Sequence, residues 1–160
     1  MADTPIIGAH ISGGLTTCVE NAEKIGARAM QIFGSSPRMW RTRMPLTGEV
    51  AEYKKVLAKS SVKAVYFHAA YLVNLASSST EIYTYSMQSL MDHLKIAEVI
   101  GAEGVIFHLG STKGGTREEG FAREIEAMKK VLQAVPGKAQ LIMENTAGGG
   151  DKIGSEIVDI

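Results

Sequence analysis

The chain has 160 residues, 45% of them hydrophobic and 21% charged. That is long enough for one domain with a sizeable core, and its composition excludes a disordered or low-complexity class. Seventeen basic residues balance seventeen acidic ones, so overall charge makes no case for nucleic acid, and any such contact needs local clustering. Cys18 is the single cysteine, which excludes an intrachain disulfide and fits a reducing compartment.

The elements alternate between two periods. A strand near 5–11 contains Ile6-Ile7-Gly8-Ala9-His10. Leu15, Cys18, Ala22 and Ile25 follow with helical spacing, and Gly26 marks the stop. A second strand near 28–33 leads through a long loop, Gly34 to Leu46, into a shorter helix carrying Val50, Tyr53 and Leu57, with Thr47 as its expected cap. The third strand, near 63–68, ends Ala64-Val65-Tyr66-Phe67-His68 and opens a second long loop, Ala69 to Ser79. Met87, Leu90, Met91, Leu94 and Ala97 form a stripe ending at Gly101, before a strand that closes Val105-Ile106-Phe107-His108. Phe121, Ile125, Met128, Leu132 and Val135 form the next stripe, stopped by Pro136-Gly137. A fifth strand near 139–144 ends Leu141-Ile142-Met143-Glu144, and Ile153, Ile157, Val158 and Ile160 read as the first turns of a further helix.

Strands alternating with helices imply an α/β fold with a parallel sheet and right-handed crossovers. The central strands are nearly all apolar, as expected when both faces are buried. An open doubly wound sheet and an eight-stranded β/α barrel both fit the alternation. A barrel needs ~250 residues. Five strands followed by an abrupt helical start favour the expectation that residues 1–160 are the amino-terminal part of a single barrel domain. The start Met1-Ala2-Asp3-Thr4-Pro5 lacks a basic segment followed by an apolar one, and no apolar run approaches the ~20 residues that span a bilayer. The expected location is the cytoplasm, with no membrane contact.

Three strands end on metal-ligand residues, His68, His108 and Glu144, separated by 40 and 36 positions. In a barrel such residues sit at the carboxyl rim, where active sites are built. Two imidazoles and a carboxylate suit a catalytic zinc, and also Mn²⁺ or Fe²⁺. The plainer alternative is that each is only a polar strand end. His10 ends strand one on the same rim and is open to reading as a ligand, a supporting donor, a phosphate contact or a structural polar group. His93 lies inside a helix beside its apolar stripe and is expected on the helix surface. Cys18 is expected in the core.

The Arg38-Met39-Trp40-Arg41-Thr42-Arg43 segment sets guanidinium groups around an indole. Arginine pairs with phosphate and an aromatic stacks on a base, although surface arginine clusters are common. Tyr71-Leu72 reads either as a loop anchor or as an apolar wedge between base steps. The runs Gly13-Gly14 and Gly148-Gly149-Gly150 follow strands one and five, are expected to precede helices, and could offer backbone N–H groups to phosphate. No Gly-x-Gly-x-x-Gly or Walker pattern supports a nucleotide cofactor.

Ile7-Gly8-Ala9-His10-Ile11-Ser12, Arg38-Met39-Trp40-Arg41, His68-Ala69-Ala70-Tyr71-Leu72-Val73-Asn74-Leu75, Phe107-His108-Leu109-Gly110-Ser111 and Glu144-Asn145-Thr146-Ala147-Gly148 occur in the order seen in endonuclease IV. The chain thus resembles that zinc-dependent apurinic/apyrimidinic endonuclease family along its whole length. The resemblance implies a TIM-type (β/α)8 barrel, of which five strands and four to five helices are present. It implies DNA repair by hydrolysis of the phosphodiester 5′ to an abasic site in double-stranded DNA. It also implies three zinc ions in the complete enzyme, with His68, His108 and Glu144 the protein ligands of one and Glu144, the catalytic carboxylate, bridging to a second. By the same matching, Arg38, Trp40, Arg41, Tyr71 and Leu72 are DNA contacts, while His10 and Asn145 stand behind the ligands. The family's further ligands, from strands six to eight, have no counterpart here. The chain alone is therefore expected to be inactive or weak, with a complementing carboxyl-terminal half as a candidate partner. The alternatives are a metal-dependent sugar isomerase or epimerase barrel and a non-catalytic DNA-binding unit.

Overall fold

In the computed structural model, residues 5–34 and 36–160 are described. The sequence reading of residues 1–4 as lacking a signal segment falls outside them. Five strands, β1 (Gly8–His10), β2 (Ala29–Phe33), β3 (Ala64–His68), β4 (Gly104–His108) and β5 (Gln140–Glu144), alternate with four helices. These are α1 (Leu15–Lys24), α2 (Thr47–Lys59), α3 (Thr80–Ile100) and α4 (Arg117–Ala134). The sheet order is β1-β2-β3-β4-β5 and every pair is parallel. None of the described helices is long and apolar enough to cross a membrane.

Side chains alternate across a strand, so each strand has a helix-facing set and an inner set. Met30, Ile32, Val65, Phe67, Val105 and Phe107 are buried under the helices and build the main core with Cys18, Val19, Tyr53, Leu90 and Leu94. The inner set, including Gln31, Tyr66, Ile106 and Ile142, is only half-buried. The expected burial of both faces therefore holds for one face. Apolar inner residues made the strands look uniform, although among the described residues helices cover only the outer side.

Local chemistry sets the helix ends. Ser79 accepts from the Ile82 N–H at the start of α3, and Gly101, in the left-handed region at φ 77°, ends it. Thr116 and Glu119 cap α4 reciprocally. The expected Thr47 cap is corrected: α2 starts at Thr47, and Glu49 accepts the Leu46 N–H at 2.6 Å. β1 covers only Gly8–His10 of the expected 5–11, and Ile6 and Ile7 are exposed. In α1 the buried set is Cys18, Val19 and Ala22, while Ile25 falls at the exposed cap.

Further expectations are corrected by the packing. The α4 stripe is shifted by about one residue: Gly120, Glu124, Ala127 and Val131 are buried, Phe121, Met128 and Val135 pack half-buried against the core as expected, and Ile125 and Leu132 are exposed. A Cβ on residue 120 would lie 2.6 Å from Thr112 Cγ2, so glycine lets α4 approach the loop after β4 closely. The expected helix after Ile153 is instead a 3-10 turn, Ile157–Asp159. Gly154 turns the chain in the left-handed region, Ile153 is buried against Leu109 and Ala76, and Arg117 fastens Asp159 to the start of α4. Gly148-Gly149-Gly150 therefore precede no helix; the segment folds back so that Thr112 donates to Asp151 O and Ser111 pairs with Lys152.

Candidate metal centre and its flanking loops

Every ligand candidate is the last residue of its strand and belongs to the inner set. His108 lies directly opposite Glu144 across the β4–β5 ladder, and His68 pairs with Ile106, two residues below His108. The register therefore brings the three together. Their ligand atoms all lie within 4.8 Å of one another.

The hydrogen bonds fix the tautomer. His68 Nδ1 lies 2.7 Å from the Ala69 carbonyl, which can only accept, so Nδ1 carries the proton. In the neutral ring the Nε2 lone pair then faces Glu144 Oε2 at 3.0 Å. His108 Nδ1 points at the same oxygen from 3.8 Å and is buried with no hydrogen-bond partner. With His68 neutral, its Nε2 lone pair faces a carboxylate oxygen, an arrangement that a cation between them would make favourable. Nitrogen and oxygen ligands of a tetrahedral zinc lie about 3.3 Å apart, as their bond lengths of about 2 Å require. The donor set therefore fits a metal ion of that kind.

Aromatic rings wall the group. Phe33, the end residue of β2, packs on His10 at 4.6 Å and edge-on to His68 and Tyr71, each at 5.4 Å. Tyr71, although 62% exposed, sits edge-on to His68 and lies nearly parallel to His108, 23° apart. His10 remains outside the group. Its Nδ1 accepts from the Gln31 amide at 2.9 Å, and partial burial, then His68, lowers its pKa.

The two long loops meet on this rim. Tyr71 N–H donates to the Pro37 carbonyl, joining them, and Thr42 Oγ1 donates back to the Gly34 carbonyl. Arg38 and Arg41 are exposed, whereas Arg43 is committed to Glu49 at 2.7 Å. Trp40 is half-buried and packs on Tyr85 of α3 at 5.7 Å. Leu72 is 37% exposed. A cavity of about 510 Å³ beside His108 is walled by Trp40, Tyr71, Leu72, Asn145, Lys113 and Lys152.

Sequence reasoning missed two supporting residues and misjudged a third. Phe33 was read only as strand. Buried Asn74 donates to Ser111 O and accepts from Ser111 N, tying the loop after His68 to the loop after His108. Gly110, at φ 101°, permits this, since a Cβ there would collide with Asn74 Oδ1. His93 is no surface residue. It is 1% exposed, because α3 turns it onto Phe67 and the start of the 34–46 loop, and burial lowers its pKa. Cys18 is fully buried as expected, and burial pushes its thiol up to about 11.

The chain belongs to the xylose isomerase-like TIM barrel family, whose model matches residues 19–160. Among its curated relatives, the probable endonuclease 4 of Halothermothrix orenii is 35% identical over 156 residues, 96% of this chain and 56% of the relative. The crystal structure of endonuclease IV from Thermus thermophilus superposes with a TM-score of 0.79 at 35% identity, covering 92% of this chain and 54% of that one. A D-tagatose 3-epimerase-like protein superposes at 0.70 with 14% identity over 94% of this chain and 56% of its own, which shows the fold alone. The chain spans about half the length of the curated relatives it matches. The sequence-based resemblance to the endonuclease IV family and the barrel fold class are borne out.

Proposed function

We propose that the chain supplies the first five β/α units of a metal-dependent DNA-repair endonuclease that hydrolyses the phosphodiester 5′ to an abasic site. The carrying observation is one rim on which His68, His108 and Glu144 converge beside loops bearing exposed Arg38, Arg41, Tyr71 and Leu72. The endonuclease 4 relatives support the same reading.

In this reading His68, His108 and Glu144 hold one zinc. Zinc supplies Lewis-acid polarisation and renders water acidic near neutral pH. The Ala69 carbonyl keeps the His68 Nε2 lone pair aimed inward. Glu144 places its negative charge between the two imidazoles. Arg38 and Arg41 pair with backbone phosphates, the Trp40 indole offers a stacking face, and Tyr71-Leu72 enter the duplex beside the lesion. His10 and Asn145 stand behind the ligands.

The test uses the 160-residue chain and a labelled duplex with one abasic site. Expected are about one zinc equivalent per chain, tighter binding to the abasic duplex than to an intact one, and weak or no cleavage without a complementing half. His68→Ala should abolish zinc uptake. Three zinc equivalents, or robust cleavage by the chain alone, would overturn the partial-site reading. Equal affinity for abasic and intact duplex would overturn the substrate assignment.

A further inference from the structure

His93 is buried behind the sheet and takes no part in the metal group, and its contacts lead to the loop that carries the arginines. Its Nδ1 donates to the Ser89 carbonyl at 2.7 Å, which fixes the ring. The opposite edge of the ring meets Gly34. A Cβ on residue 34 would lie 2.9 Å from His93 Cδ2, 3.2 Å from Nε2 and 3.3 Å from Phe67 Cδ1. Gly34 is not in the left-handed region, so the ring, not the backbone conformation, is what demands glycine there.

A cavity of about 960 Å³ lies between Met39 and Arg41 of the 34–46 loop and the core residues Ile32, Phe67 and Ile96. Among the described residues, the loop's other fastenings include Thr42 onto Gly34 O, Tyr71 N–H onto Pro37 O, Arg43 on Glu49, and Trp40 on Tyr85. Tyr85 and His93 both belong to α3, so one helix supports both the base of the loop and its tryptophan.

We propose that His93 is a positioning residue: its ring against Gly34 sets the base of the 34–46 loop, and thereby the placement of Arg38, Trp40 and Arg41 and of the Tyr71 backbone tied to Pro37. The consequence for DNA rests on the endonuclease reading above; the consequence for the loop does not.

Trp40 is the single tryptophan, so its fluorescence reports this loop without a label. Gly34→Ala pushes a methyl into the ring, His93→Ala removes the ring, and the double variant gives the methyl room. His93→Phe keeps a flat wall. Gly34→Ala and His93→Ala should each shift Trp40 emission, raise its quenching by acrylamide and weaken abasic-duplex binding about tenfold, with zinc stoichiometry unchanged. His93→Phe should stay near wild type. The double variant should regain affinity to within about threefold of wild type, because the two changes act on one contact. Wild-type Trp40 emission in Gly34→Ala, or a double variant no better than Gly34→Ala, would overturn the proposal. If His93→Ala fails to fold, Gly34→Ala and His93→Phe decide, since neither empties the core. Failure of the wild-type chain to bind duplex would remove the DNA reading and leave the Trp40 test standing.

Discussion

Glu124 lies in the interface between α4 and the core, 1% exposed, with neither carboxylate oxygen hydrogen-bonded. Burial pushes its carboxyl up from 4.5 to about 8. The folded state therefore holds a proton that the unfolded chain releases between those values. Its contribution to stability is fully present below about pH 4.5 and is lost as pH rises through about 8. Urea melts across this window should show wild-type stability falling with pH, and Glu124→Gln should flatten the slope. At pH 8 the variant should be more stable than wild type by a few kcal/mol, roughly. Equal wild-type midpoints at both ends of the window would count against this. Asn74→Ala strips both bonds from Ser111 and should cost about 1–3 kcal/mol in the same measurement. The convergence of His68, His108 and Glu144 was legible because a strand-end residue in a repeating parallel β/α chain has only one rim to occupy. Asn74, Phe33 and His93 were not, because their roles depend on what a neighbouring element brings against them.

At the level of elements, α4 shows where pattern reading stops. Its period was right and its centre was off by about one residue, because the most buried positions include Gly120 and Glu124, which no hydrophobicity scale selects, while Phe121, Met128 and Val135 pack at the edge. Glycine to alanine inside a helix ordinarily gains about 1 kcal/mol. Here the added methyl meets Thr112, so Gly120→Ala should instead cost about 1–3 kcal/mol, read from its thermal midpoint. Ile125→Lys, on the exposed flank, should stay within about 0.5 kcal/mol of wild type. A reversal of that order would restore the sequence-based phase. The segment after Ile153 misled for a related reason: spaced isoleucines suggested a helix, but Gly154 breaks it and leaves Ile157 and Val158 at 90% exposure.

For the whole molecule, alternation of the two periods made the β/α order readable, and the strands pair in that same order. Balanced charge confines any duplex contact to the few cations on the rim, such as Arg38, Arg41, Lys113 and Lys152. Three or four phosphate contacts predict a slope of about −3 in log affinity against log salt. A slope of twice that would place more of the basic surface in contact. Pairing in chain order also gives the fold a direction in time. Each strand adds to its predecessor after one intervening helix, so the sheet can grow as the chain leaves the ribosome. The three candidate ligands belong to β3, β4 and β5. On the metal reading proposed above, a nascent chain lacking β5 would offer the two imidazoles of this group without Glu144, which docks beside His108. An ion held by the three would then tie β5 to β3 and β4, so that metal uptake and the docking of β5 would be coupled.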